Sequence, residues 1–183
     1  MRNIPFKILC LLVIVSSSGC TTTYKPDISI SRPTTMVENA NPSLKITVTT
    51  DKLIYSTSDE IWVTVQLQNT STQSFLINSR LAINNSGAPS LMREVTLVIT
   101  DESGQIQPFR AAVNIGLPKP KHFSTLKPEA QIEEKYDLRM YFGSLPAGKY
   151  QIAAIYENSM ELQEQTTWTG KIEAEVITFT ITE

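Results

Sequence analysis

Few residues in this chain are of types that do chemistry, and those few stand apart. The 183 residues hold two cysteines, Cys10 and Cys20, and one histidine, His122. A metal site draws on several Cys or His ligands at close spacing, which this inventory does not offer. A catalytic cysteine needs a base and a lowered pKa. Cys20 sits instead in the Ser/Thr tract SSSGCTTTYK, residues 16–25, with neither nearby. His122 lies in KPKHFST, beside Phe123 and Ser124. Adjacency in sequence does not make a triad, because nucleophile and base must meet in space with an acid behind the base. It reads as a loop histidine, exposed or stacked on a neighbour. Glu133 and Glu134 are consecutive and would face opposite ways on a strand. Glu173 and Glu175 share a face, read as a solvated one opposite Ile177 and Phe179. The turn DESG, residues 101–104, offers too few oxygens for calcium. No glycine-rich phosphate loop and no G-x-S-x-G elbow occurs. The residues therefore predict no catalytic set, no metal site and no cofactor, and a protein that is not an enzyme.

The elements around these residues give the chain an organisation. Arg2 and Lys7 are the only charges before Lys25, and residues 8–15 form an unbroken apolar run. A basic start, a short apolar centre and small residues after it mark a secretory signal. The run is shorter than the ~20 residues a spanning helix needs. Removing it leaves 14 basic residues against 18 acidic ones, a formal charge near −4. No cluster of Lys or Arg could track phosphates, which argues against nucleic acid as a partner.

Ser17-Ser18-Gly19-Cys20 resembles the lipobox of bacterial lipoproteins. In that family a peptidase cuts before the cysteine once a diacylglyceryl group is on its sulfur. Ser17 stands where an aliphatic residue is usual. The resemblance implies that residues 1–19 are a signal peptide and that Cys20 is the lipid attachment. Each buried acyl CH₂ would add about 0.8 kcal/mol of membrane affinity. The membrane is then a partner through the N-terminal lipid. Thr21, in place of an aspartate, resembles the outer-membrane class of the bacterial cell envelope. Residues 20–43 hold Pro26, Pro33 and Pro42 without periodicity and read as a flexible linker.

Residues 44–183 are long enough for one domain with a real core. Their hydrophobic period is two. Leu44, Ile46 and Val48 alternate with polar residues, as do Ile61 to Leu67, Val95 to Ile99, Tyr136 to Phe142, Tyr150 to Tyr156, and Ile177 to Ile181. Alternation of this kind marks strands with one buried face. Turn-forming clusters punctuate them, and the sum is all-β: a single sandwich of about 7–9 antiparallel strands. Trp62 falls on the face opposite the inward set. Residues 158–167 could form a helical turn.

Two stretches give the sandwich a type. Leu145 to Tyr150, LPAGKY, leads into a strand and resembles the tyrosine corner of immunoglobulin-like domains. Tyr150 would return its hydroxyl to the backbone, with Gly148 supplying the permissive corner. Asp51 to Tyr55, Asp59 and the strand to Asn69 resemble the opening of macroglobulin-type and related bacterial Ig-like domains. Ser58 replaces the usual glycine, and no cysteine is present to build the thioester with which large macroglobulins trap proteases.

In such sandwiches function is carried by the end loops. The long candidates are residues 80–92, 110–128 and 158–170; the second presents Ile115, Leu117, His122 and Phe123 among prolines, and the third presents Trp168, a preferred interface anchor. These are the candidate binding residues, although Phe123 and Trp168 would equally serve to cover the open end of the sandwich. The leading expectation is a non-catalytic protein that binds an envelope or secreted protein. A β-sandwich protease inhibitor is the alternative. Chagasin-like inhibitors carry Asn-Pro-Thr-Thr-Gly, for which this chain offers only Arg32-Pro33-Thr34-Thr35 and Asn41-Pro42. A carbohydrate-binding module is the third reading.

Overall fold

Alternation becomes structure most directly in the strands β1 (Leu44–Thr50) and β3 (Trp62–Asn69), which pair antiparallel along their full length. Val63, Val65 and Leu67 on β3, with Leu44, Ile46 and Val48 on β1, turn inward and are buried. In this computed structural model, residues 44–85, 87–162 and 166–183 are described. All of them belong to one compact unit. The leader, Cys20 and the linker, residues 1–43, lie outside the described residues.

The remaining strands are β2 (Ile54–Ser56), β4 (Phe75–Asn78), β5 (Val95–Asp101), β6 (Phe123–Leu126), β7 (Gln131–Asp137), β8 (Gly148–Asn158), β9 (Gly170–Glu173) and β10 (Ile177–Thr182). One sheet runs β1-β3-β7. The second runs β2-β10-β8-β5, with β9 also on β8. β4 and β6 form a separate pair. The expected all-β sandwich is what the chain forms. It has ten strands among the described residues, and β2 pairs with β10 in parallel.

The core lies between the sheets. Phe179 on β10 meets Tyr55 edge-on at 5.9 Å between centroids and stacks on Tyr150 at 5.5 Å. Such pairs add roughly 0.5–1.5 kcal/mol beyond area burial. Asn69 is fully buried and closes β3, donating from Nδ2 to the carbonyls of Gln73 (2.8 Å) and Leu126 (2.9 Å). A buried amide is tolerated because it is paired.

The run from Tyr136 to Phe142 differs from its expected strand. β7 ends at Asp137, and Leu138–Phe142 is a short helix, α1. Asp137 caps it, its Oδ1 accepting from the Arg139 N–H at 3.0 Å. Leu138 and Phe142 are both buried, as residues four apart on one helix face. Met140, two residues from each, is 71% exposed. Spacings of four suit both periods, so only the middle residue separates helix from strand. Residues 159–162 carry no helical turn.

The two ends of the β1-β3-β7 sheet are unlike. The bond from Asp51 N–H to Trp62 C=O, 3.1 Å, makes these two a hydrogen-bonded pair. Pairing alternates from there. Lys45, Thr47 and Thr49 therefore spend their backbone groups on β3, and Leu44, Ile46 and Val48 turn theirs to the outer edge. Among the described residues those groups have no backbone partner. At the other end β7 carries Glu133, Glu134 and Lys135, all exposed. Charge of that kind guards an edge strand. On β1 the one charge is Lys45.

Candidate functional site

The loop between β5 and β6 is held in place by an ion pair whose carboxylate is buried. Arg80 donates from Nε to Glu94 Oε1 at 2.8 Å, and a second guanidinium nitrogen donates to the same oxygen. The other Glu94 oxygen accepts from the Ala82 N–H at 2.9 Å. Arg80 then donates onward to the carbonyls of Ile115 (2.9 Å) and Gly116 (3.3 Å). Glu94 is 1% exposed. Its charge is tolerated there because it is both paired and hydrogen-bonded.

This clamp fixes where the expected loop residues stand. Ile115 is half-buried, its carbonyl on Arg80. Leu117 is 48% exposed. His122 ends a short 3-10 turn, Pro120–His122, and its Nδ1 accepts from the Lys119 N–H at 3.1 Å. Partial desolvation, then the positive charge of Arg80, holds its imidazole below the usual value. Phe123 opens β6 rather than ending a loop. Asn78 on β4 is its partner in register, and Phe123 is half-buried.

Trp168 does not stand on the surface as an interface anchor. It is 1% exposed, with its ring 5.4 Å from that of Tyr156. The backbone explains the burial. Leu76 N–H bonds to Thr166 C=O at 2.9 Å and Trp168 N–H to Leu76 C=O at 2.8 Å, which draws residues 166–168 alongside β4. The tyrosine corner is formed as the LPAGKY stretch suggested. Tyr150 Oη donates to Pro146 C=O at 2.9 Å. Gly148 opens β8 at φ +159, a setting glycine reaches at no Cβ cost.

The candidate carboxylates are dispersed. Glu133 lies in register with Gln66 and Glu134 with the inward Val65, so the two face opposite sides of the sheet. Asp101 Oδ1 accepts from Ser103 Oγ (2.6 Å) and from the N–H groups of Ser103 and Gln105 (both 3.0 Å). These bonds, the Ser103 hydroxyl foremost, hold its carboxyl below the usual range. The other oxygen, Oδ2, accepts from Gln107 Nε2 at 3.2 Å, so both are spent locally. Among the described residues no three Cys, His, Asp or Glu side chains gather to hold a metal ion. No helix among them is long and apolar enough to cross a membrane.

A concavity lies elsewhere, along β1. A groove of about 650 Å³ is bounded by Leu44 to Thr49 on one side and by Ile172, Glu173, Glu175 and Ile177 on the other. It thus runs between the unguarded edge of the first sheet and β9 and β10 of the second. Ile172 and Ile177 give it an apolar floor. Glu173 is bridged to Lys171 at 2.8 Å, while Glu175 is exposed at the rim. The periodic pattern of β1 was legible in sequence. That β1 ends its sheet was not, since edge position depends on pairing across the whole chain.

No family model and no curated protein matches this chain. Among solved structures, a β-glucosidase from Erythrobacter marinus aligns over 76% of this chain at 14% identity and a TM-score of 0.37. The chain spans 15% of that enzyme's length.

Proposed function

We propose that this is a lipid-anchored, non-catalytic protein of the bacterial cell envelope, held at the outer membrane through Cys20, that binds another envelope or secreted protein. The groove along β1 carries the binding part of the reading. It is apolar at its floor, polar at its rim, and adjoins a strand edge whose outward backbone groups have no backbone partner among the described residues. The leader and Ser17-Ser18-Gly19-Cys20 support the anchor. The burial of Trp168 shifts the binding surface away from the sandwich-end loops, where Leu117 and Leu91 stay about half exposed.

Two experiments test the two halves. Crosslinking in intact envelopes through a photoreactive residue at position 175, followed by pull-down, should yield a saturable partner. Recovery of nothing above a control with the photoreactive residue at Glu102, on the exposed 101–104 turn, would sink the binding half. Cys20→Ser should leave a folded domain that no longer fractionates with membranes as the mature protein. If it still does so, the lipid anchor is wrong.

A further inference from the structure

We infer that the groove beside β1 receives an extended strand of a partner polypeptide, one with apolar side chains at alternate positions and a basic residue where it passes Glu175. This deepens the binding reading above and rests on it.

Four observations carry the inference. The outward N–H and C=O groups of Leu44, Ile46 and Val48 recur at every second residue of β1, the spacing at which an added strand forms its ladder. β1 is seven residues long, about 23 Å of edge at strand rise. The groove lies where that strand would sit, with Ile172 and Ile177 placed to meet its inward side chains. Glu175 makes no ion pair among the described residues and supplies the complementary charge. Recognition by strand addition takes its affinity from main-chain bonds and its specificity from alternate side chains. The opposite edge, β7, carries the charges that discourage such pairing, so the two edges of one sheet differ in what they admit.

A synthetic probe, acetyl-Lys-Thr-Val-Thr-Val-Thr-Val-Lys-amide, tests this on the full chain. Saturable binding is expected, with amide exchange at Leu44, Ile46 and Val48 slowed roughly tenfold, as one added hydrogen bond each would give. Lys45, Thr47 and Thr49, already bonded to β3, should change little. A control probe with proline at two adjacent central positions should not bind. Glu175→Lys, an exposed change, should weaken the probe roughly threefold and favour one ending in Glu. The inference is overturned by absence of saturable binding, by equal binding of the proline control, or by binding without change at those three amides. It is equally overturned if those amides exchange slowly before any probe is added, because the edge is then already paired. Capture of a crosslinked partner despite failure of the probe would keep the binding reading and remove this strand mode. Binding of the probe with no partner ever captured would do the reverse.

Discussion

Arg80, half-buried, and Glu94, fully buried, form an ion pair whose guanidinium also reaches the carbonyls of Ile115 and Gly116, so that one ion pair ties the start of β5 to the loop after it. Removing one member of such a pair leaves the other charged and unpartnered in the interior. Arg80→Ala is expected to cost about 3 kcal/mol or more by urea denaturation. The double variant Arg80→Met with Glu94→Leu should be destabilised less than the sum of the two single changes. Strict additivity would show that the two residues do not act as a pair.

Tyr150 offers a cleaner deletion. Tyr150→Phe removes the bond to Pro146 C=O and leaves the ring stacked on Phe179. The expected loss is about 1 kcal/mol, with no change in the denaturant slope. A loss within error of zero would mean that the corner is held by packing alone.

The helix α1 separates neighbours of similar type. Leu138→Ala should cost roughly 2–5 kcal/mol, while Met140→Ser should stay within about 0.5 kcal/mol of the parent. Equal effects from the two would restore the strand that the alternation from Tyr136 implied.

The tyrosines set the alkaline limb of stability. Burial and the bond to Asp51 push Tyr55 up to about 12, and burial raises Tyr136, Tyr141, Tyr150 and Tyr156 as well. The folded state therefore holds its phenolic protons more tightly than the unfolded chain. That contribution is complete below the unfolded value near 10 and declines as pH rises through the folded ones. Stability measured by urea should fall from about pH 10 upward. Phenolate absorbance should appear together with loss of β-sheet signal. Ionisation of all these tyrosines in a chain that stays folded would contradict the burial described.

What the sequence disclosed depended on which forces were local. Strands β1, β3, β8 and β10 bury every second residue, so their alternation was readable; β5 was readable from residue type alone, since Thr96 is buried with its neighbours Val95 and Leu97. β4 was not, because all four of its residues are buried, leaving FLIN without a period. The tyrosine corner is built within five residues and was legible from LPAGKY. The Arg80–Glu94 clamp joins residues 14 apart and leaves no local pattern. Trp168 looked like an exposed anchor because its backbone partner, Leu76, lies far away in sequence. The groove was hidden for a similar reason: Ile172 and Ile177 meet β1 only once both sheets exist.

The parallel pairing of β10 with β2 also bears on when the domain can form. β10 lies between β2 and β8, with Ile54 opposite Thr180 and Ile177 opposite Ile152. It emerges from the ribosome after the nine other described strands, at roughly 5–20 residues per second. Until then the second sheet lacks an interior member, and Phe179 is missing from between Tyr55 and Tyr150. Closure of the core by the last of the described strands means that the Tyr55–Phe179–Tyr150 stack is completed by residues as far apart in the chain as Tyr55 and Phe179, so its assembly depends on the most distant pairing in the second sheet, that of β2 with β10.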